Sequence, residues 1–241
     1  MISIVCVYND SGVLEDCLLK SLRNQTFEYE LILEDNTAGT FTSAAQALNR
    51  GGRKARSKYI MFVHQDVDLT QQEWLEDAER LLEAIPDLGI AGVAGMSAQG
   101  KNNRERGRNI IVHGKRAKIW SFGNPISQPE IVQTLDECLI IIPQRIFHNY
   151  EFDETTCDGW DLYAVDYCLS VAGQGLHAYA IPLPIYHKSK GRLAKSYFQV
   201  LNKVLSKHRK NFKYINTTVG RWSTQYPLII QRIERKWKIY H

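Results

Sequence analysis

The chain has 241 residues, of which 44% are hydrophobic and 23% are charged, close to the average for globular proteins and unlike disordered or fibrous chains. Its apolar runs are far shorter than the ~20 residues that span a bilayer. Residues 1–8 read as a buried strand without a charged leader region, so no secretory signal is expected. Five widely spaced cysteines without a Cys-x-x-Cys pair indicate reduced, buried thiols, which agrees with a predicted cytoplasmic location.

Charge is distributed unevenly along the chain, although the net charge is only +4. Residues 188–241 contain 14 Lys or Arg and a single acid, Glu234, whereas the first 187 residues carry a net charge of −9. This asymmetry predicts a boundary near residue 190 and a basic, helical C-terminal extension over 191–241. No nucleic-acid-binding module accompanies the basic residues, so no nucleic-acid partner is expected.

Short apolar segments alternate with helical segments in the first half of the chain. Strands are predicted at 2–8, 30–34, 59–64 and 90–94, with helical apolar spacing at 14–22, 44–48 and 74–82 between them. Strands alternating with helices predict an α/β fold with a mostly parallel sheet. Further along, strands are predicted near 118–122, 137–142 and 176–181, with a helix at 162–172.

Polar residues follow each of the first three predicted strands. They are Asn9 and Asp10, then Asp35 and Asn36, then Asp66 and Asp68. In parallel α/β sheets, ligands bind beyond the carboxyl ends of the strands, so these side chains are candidate ligand contacts. Asp and Asn at such positions also form turns and helix N-caps, and for Asn9, Asp10 and Asn36 that alternative is favoured.

Two carboxylates two residues apart, Asp66 and Asp68, stand at the end of a buried strand. Their mutual repulsion favours a bound divalent cation, Mg²⁺ or Mn²⁺, shared with substrate phosphates. No glycine-rich phosphate loop follows the first strand, which argues against dinucleotide enzymes and P-loop ATPases. His64, His113 and His177 lack metal-ligand spacing and are interpreted as packing or surface residues.

Several segments together resemble the GT-A fold glycosyltransferases of the inverting family 2 type. The segments YND, LILEDNT and ALNRGGRKARSKYIMFVHQDVD are similar to the nucleotide-sugar half, and FDETTCDGWDLYAVDYCLSVAGQGLHAYAIPLPIYHKS is similar to the acceptor half. The resemblance implies a catalytic domain over 1–190, with a donor half at about 1–95 and an acceptor half at about 96–190. It further implies a nucleoside-diphosphate sugar donor, UDP-linked by family default, and a glycan or lipid-linked acceptor.

The resemblance also assigns roles to individual residues. Tyr8 and Asn9 would border the nucleobase, and Asp35 would hydrogen-bond the base or ribose. Asp66 and Asp68 match the DXD motif that holds Mn²⁺ or Mg²⁺, with Asp68 the more direct ligand. His187 matches the histidine that closes the metal and diphosphate site.

The catalytic base is where the chain departs from the family pattern, because Ala164 stands at the usual base position. Asp166 is ranked slightly above Asp161 as the replacement. If both carboxylates only cap a helix, the protein would be a catalytically weak sugar-nucleotide-binding or membrane-surface protein that retains the fold. Trp160 is either an acceptor-stacking residue or a buried tryptophan.

The end of the chain shows helical spacing of apolar residues, with most basic residues on the rest of the helix. Residues 224–241 are therefore predicted to lie on an anionic membrane surface as an interfacial helix. Alternatively, the helix packs its apolar face on the catalytic domain or on a second subunit. The apolar positions are Tyr226, Ile229, Ile230, Ile233, Trp237 and Tyr240.

Overall fold

The computed structural model describes residues 1–109, 111–114, 120–188 and 194–240, without the side chains of 120–122 and 235–240. The start of the strand predicted at 118–122 and the side chains of Trp237 and Tyr240 therefore lie outside the described part. Sixteen strands are described: β1 Ile2–Tyr8, β2 Tyr29–Asp35, β3 Tyr59–Val63, β4 Val67–Leu69, β5 Leu88–Gly92, β6 Gly95–Met96, β7 Gly107–Arg108, β8 Ile111–His113, β9 Trp120–Phe122, β10 Glu130–Val132, β11 Thr134–Leu135, β12 Leu139–Pro143, β13 His177–Ala180, β14 Ile185–His187, β15 Tyr214–Thr217 and β16 Gly220–Ser223.

The helices lie mostly between the strands, as the alternating pattern predicts. The first helical segment changes pitch twice, because α1 passes into a π-helical turn at Glu15–Leu19 before α2. The helices are α1 Ser11–Leu14, α2 Lys20–Leu22, α3 Ala44–Gly52, α4 Trp74–Glu83, α5 Asn103–Arg106, α6 Gln144–Phe147, α7 Tyr163–Ala172, α8 Lys195–His208 and α9 Leu228–Tyr240.

The largest sheet has seven strands in the order β10-β13-β5-β12-β3-β1-β2. Five of them run in the same direction, while β12 and β10 run antiparallel to their neighbours. The prediction of a mostly parallel α/β sheet is confirmed. Because β1 pairs in parallel with both β2 and β3, the carboxyl ends of these three strands lie side by side.

Helices cover both faces of this sheet, as its apolar strands require. In β1, Val5 packs into one hydrophobic cluster with α3, α7 and α8, whereas Ile4 and Cys6 pack into the other with α1, α2 and α4. All five cysteines are buried and free, which confirms the interpretation as reduced thiols.

A second, four-stranded sheet in the order β4-β14-β8-β9 lies beyond the end of β3. In this sheet β14 pairs antiparallel with β4 and parallel with β8. It therefore brings residues near 67, 112 and 187 together, although they are far apart in the chain.

The C-terminal segment is part of the same core rather than a separate extension. Tyr197, Leu201 and Leu205 of α8 are buried in the cluster that contains α3 and α7, and so is Trp222 of the β15–β16 hairpin. Packing thus continues past the boundary expected near residue 190. No helix in the described part of the chain is long and apolar enough to cross a membrane.

Candidate active site

A cleft of about 560 Å³ opens at the carboxyl ends of β1, β2 and β3. This is the size range of small-molecule sites, and the location is the one that the parallel-sheet rule predicts. Segments that follow the three strands form one wall, and residues from the segment before α7 form another. The lining residues used below are Tyr8, Asn9, Asn36, Thr37, His64, Gln65, Asp66, Trp160 and Tyr163.

Tyr8 and Asp35 stand opposite each other at the ends of the paired strands β1 and β2. The Asp35 carboxylate accepts hydrogen bonds from the Thr37 N–H at 2.8 Å and from the Thr37 hydroxyl at 2.7 Å. These bonds, together with one from the Tyr8 hydroxyl, hold the pKa of Asp35 below its usual value. Asp35 is thus an oriented, ionised acceptor beside the cleft.

The turn formers flank the cleft in different ways. Asp10 is the N-cap of α1, where it accepts from the Val13 N–H at 3.0 Å, which confirms the capping interpretation for this residue. The buried Asn36 accepts from the Phe41 N–H at 2.8 Å and so shapes the loop beside the cleft.

Gln65 was missed in the sequence analysis, yet it connects two walls of the cleft. Its Oε1 accepts from the backbone N–H groups of Asn9 at 3.0 Å and Asp10 at 3.1 Å, and its Nε2 donates to Asn9 Oδ1 at 2.7 Å. The loops after β1 and β3 are therefore fixed relative to each other. The sequence does not indicate these contacts, because one glutamine side chain bound to backbone N–H groups follows no motif or residue spacing.

Two cleft-lining side chains, His64 and Asp66, form a cluster suited to a metal ion together with the buried His187. One ligand atom each of His64, Asp66 and His187 lie within 4.8 Å of one another. Two of these residues, Asp66 and His187, are among the predicted ligands. His64 corrects the earlier interpretation as a packing or surface residue, since it precedes Asp66 by two positions and its side chain joins the cluster.

Asp68 is not a member of this cluster. It lies in the middle of β4, half-buried and opposite Tyr186 of β14. His64 and Asp66, on either side of Gln65, thus contribute to this cluster together with His187. His113 of β8 lies behind the cluster, with its ring centroid 5.4 Å from that of His187.

Charge and burial in the cluster favour a cation. His187 Nε2 lies 3.2 Å from Asp66 Oδ1, but neither ring nitrogen of this buried histidine makes a well-aligned hydrogen bond to any described residue. Burial lowers the pKa of His187, but the Asp66 carboxylate outweighs burial and raises that pKa, so any proton held by His187 has to leave when a metal ion binds. A buried imidazole with unsatisfied nitrogens beside a carboxylate is a donor set that fits a divalent metal ion.

The His64 ring contacts Tyr163 at the start of α7. Its Nε2 lies 3.2 Å from the Tyr163 hydroxyl, which in turn donates to the Glu137 backbone carbonyl at 3.1 Å. Burial and the nearby His187 lower the pKa of His64, so the imidazole is held neutral, as a metal ligand must be.

Asp166, the preferred base of the sequence analysis, is buried away from the cleft. Its carboxylate accepts from Lys207 Nζ at 2.6 Å and lies 2.8 Å from His208 Nε2, so that it joins α7 to α8. Only 2% of the residue is exposed, and it is not among the cleft-lining residues. This arrangement supports a structural role for Asp166 between α7 and α8.

Asp161 is half-buried and lies in the sequence between Trp160 and Tyr163, which line the cleft, although Asp161, like Asp166, is not itself among the lining residues. Partial burial raises the pKa of its carboxyl group, while a hydrogen bond from Ser196 opposes that shift. The next residue, Leu162, has a left-handed backbone with φ 66°, which is strained for a leucine and redirects the chain just before α7. Such strain is concentrated at functional positions.

Trp160 is an open aromatic surface on the cleft rather than a core residue. Its side chain is 46% exposed, which argues against the buried alternative. The preceding Gly159 carbonyl accepts from the Ala44 N–H at 2.9 Å, and this bond holds the tryptophan segment against the start of α3.

Known proteins match this chain in sequence family and in fold. The sequence model of a glycosyltransferase-like family matches residues 3–213. No curated protein sequence matches the chain.

Among solved structures, the mannosyltransferase PcManGT from Pyrobaculum calidifontis, in complex with GDP-Man and Mn²⁺, is 13% identical with a TM-score of 0.59. That match covers 88% of this chain and 65% of the other. GalNAc-T7 with UDP, GalNAc and Mn²⁺ is 11% identical with a TM-score of 0.60, and the match covers 86% and 48% of the two chains. TarS from S. aureus in complex with UDP-GlcNAc is 12% identical with a TM-score of 0.54, over 87% and 66%. The chain therefore spans about half to two thirds of these proteins, and the likeness establishes the GT-A fold.

Proposed function

The chain belongs to this glycosyltransferase-like family of enzymes, and we propose that it transfers a sugar from a nucleoside-diphosphate sugar to a hydroxyl group of a glycan or lipid-linked acceptor with inversion. The observation that carries the proposal is the cluster of His64, Asp66 and His187, of which His64 and Asp66 line a cleft at the strand ends. The solved structures with the same fold hold GDP-Man, UDP or UDP-GlcNAc, which supports this donor class.

In this proposal the donor occupies the cleft with its nucleoside toward β1 and β2. Tyr8 and Asn9 border the base, and the ionised Asp35 accepts a hydrogen bond from the base or ribose. Asn36 and Thr37 shape the same wall. UDP remains the first nucleotide to test, with GDP and dTDP as alternatives.

The diphosphate would lie over the cluster, where His64, Asp66 and His187 would hold Mn²⁺ or Mg²⁺. Two imidazoles and one carboxylate suit Mn²⁺ better than Mg²⁺, which prefers oxygen ligands. When bound, a divalent ion supplies positive charge that stabilises the departing nucleoside diphosphate. Asp68 is a less direct participant in this proposal than Asp66, which reverses the order implied by the family resemblance.

We assign the general base to Asp161 rather than Asp166. The Asp161 carboxylate accepts the acceptor hydroxyl proton as that oxygen attacks the anomeric carbon and the bond from this carbon to the diphosphate oxygen breaks. Its raised pKa brings its basicity closer to the working pH. Trp160 would stack on the acceptor sugar beside it.

One observation favours a second candidate function, a sugar-nucleotide-binding protein with weak catalysis. Ala164 carries no carboxylate, and Asp166 is occupied by Lys207 and His208. Of positions 161, 164 and 166, only position 161 then offers an acid that could act as the base.

A donor panel tests the proposal. Purified protein is incubated with Mn²⁺, glycan and lipid-linked acceptors, and UDP-, GDP- or dTDP-sugars, and the released nucleoside diphosphate is measured alongside the shift in Tm that each nucleotide causes. The proposed transferase raises its Tm with one nucleotide and releases that nucleotide from its sugar. A Tm shift without release supports the weakly catalytic binding protein, and no shift with any nucleotide contradicts both functions.

A further inference from the structure

Helix α9 and the residues just before it present apolar side chains to solvent, although the start of the helix packs on the domain. Four of them are exposed by about half or more: Tyr226 at 66%, Ile229 at 65%, Ile230 at 47% and Ile233 at 56%. We call these four residues the apolar stripe. Large exposed apolar patches mark interaction surfaces, whereas single exposed residues do not.

The opposite side of the same helix is anchored. Leu228 is buried in the main core, and the Gln231 amide donates to the Ser223 carbonyl at 2.9 Å and to the Tyr226 carbonyl at 2.8 Å. The Arg232 guanidinium lies 4.0 Å from the centre of the Phe198 ring. Since this side already packs on the domain, the start of the helix has a fixed orientation that keeps the stripe outward.

Two exposed arginines lie near the stripe, together with one acid, Glu234, which lines a small cleft beside it. Arg221 borders the same small cleft as Tyr226 and Ile230, and the Arg209 carbonyl accepts from the side-chain amide of Gln225 at 3.3 Å. Arg209 and Arg221 are both exposed. Residues 188–241 as a whole contain 14 basic residues and one acid.

We propose that the apolar stripe and the basic residues around it form a docking surface for an anionic lipid bilayer. An apolar face flanked by cations suits the boundary between acyl chains and anionic headgroups. A second copy of the chain fits less well, because a two-fold contact through this face would place the same cations opposite each other. The surface lies outside the cleft, so it acts independently of the proposed transfer reaction.

Vesicle co-sedimentation of the full chain tests this surface. Vesicles of phosphatidylcholine with phosphatidylglycerol are compared with pure phosphatidylcholine vesicles, at low and high salt. We expect sedimentation with the anionic vesicles at low salt, loss at high salt and no sedimentation with neutral vesicles. The double variant I229Q/I233Q should reduce partitioning by about tenfold or more, since two large apolar groups no longer leave water.

The chain offers a matched control at Ile131 of β10, which is 57% exposed and belongs to the seven-stranded sheet rather than to α9. I131Q changes the same residue type at the same exposure as I233Q, so it should bind vesicles like the wild type while I233Q binds less. Failure of the wild type to bind anionic vesicles, or equal loss with I131Q and I233Q, overturns the proposal. A dimer that I229Q/I233Q dissociates, without vesicle binding, would assign the stripe to a second copy instead. Nucleotide-induced Tm shifts measured on the same variants report donor binding by themselves. Loss of vesicle binding is therefore not confused with loss of the donor site.

Discussion

His187 and Asp66 are 121 positions apart in the sequence, yet His187 Nε2 lies 3.2 Å from Asp66 Oδ1. Their meeting follows from the antiparallel pairing of β14 with β4, which places His187 opposite Val67, and from a hydrogen bond of the Lys188 N–H to the Asp66 carbonyl at 3.0 Å. The second sheet therefore completes a cluster that the segment after β3 only begins.

The first prediction separates the two sets of candidate metal ligands. H187A and D66N should each weaken Mn²⁺ binding by about a hundredfold or more, since even residues that merely orient ligands change affinity by about 10–100-fold. D68N, a carboxylate change two residues from Asp66, is the matched control and should keep Mn²⁺ affinity within a few-fold. Titration followed by the paramagnetic signal of free Mn²⁺ measures all three. Loss with D68N and retention with H187A would restore the Asp66–Asp68 pair as the ligands.

The second prediction concerns the base. D161N should lower kcat by about 10²–10⁴, the span of a lost general base, while donor binding stays near wild type. D166N should keep kcat but lower the free energy of unfolding by about 1–3 kcal/mol, because it weakens charged hydrogen bonds to Lys207 and His208. Turnover and chemical denaturation of both variants measure this. Normal turnover in D161N together with a large loss in D166N would return the role to Asp166.

The third prediction concerns Trp160. W160A should raise the KM for the acceptor by about tenfold with little change in kcat, since stacking of this half-exposed ring contributes binding without touching the reacting atoms. W160F keeps an aromatic surface and should recover most of the affinity. An unchanged acceptor KM in W160A would remove the stacking role, and unchanged nucleotide Tm shifts would show that the donor site is intact.

The fourth prediction concerns a buried acid next to the site, Glu137. Burial, reinforced by the nearby Asp136 and Asp161, raises its pKa well above the usual value, and its Oε1 lacks a hydrogen-bond partner among the described residues. The folded chain therefore holds a proton that the unfolded chain releases at lower pH, and stability from this group falls as pH rises above the unfolded pKa. E137Q should therefore gain stability relative to the wild type between pH 5 and 8. A difference that is independent of pH would mean that Glu137 is not protonated in the fold.

The sequence predicted the first half of the sheet well because those strands are short apolar runs with clear breaks. β1 was expected at 2–8 and is found at Ile2–Tyr8, and β3 differs from its expected range only by the loss of residue 64. That last residue was decisive, however. Because β3 ends at Val63, the His64 side chain lies near Asp66 and His187, and residue spacing alone does not predict this contact.

The base was harder to predict because its position depends on packing between distant helices. Helical periodicity placed Asp166 on α7 but not the face it occupies, which is set by Lys207 and His208 of α8, about 40 residues later. Likewise, a charge count suggested a separate extension, whereas the apolar residues of α8 pack in the main core. The charge distribution of a segment indicates which side chains are on its surface, but it does not predict whether the apolar side chains of that segment pack in the core.

Isothermal titration of nucleoside diphosphate into the protein tests the central claim most directly. UDP and GDP are titrated in Mn²⁺ buffer and again in excess EDTA, with H187A and D68N alongside the wild type. We expect one nucleotide to bind the wild type and D68N in Mn²⁺, and we expect this binding to be lost in EDTA and in H187A. Equal affinity in Mn²⁺ and EDTA would contradict a metal-assisted nucleotide site at His64, Asp66 and His187.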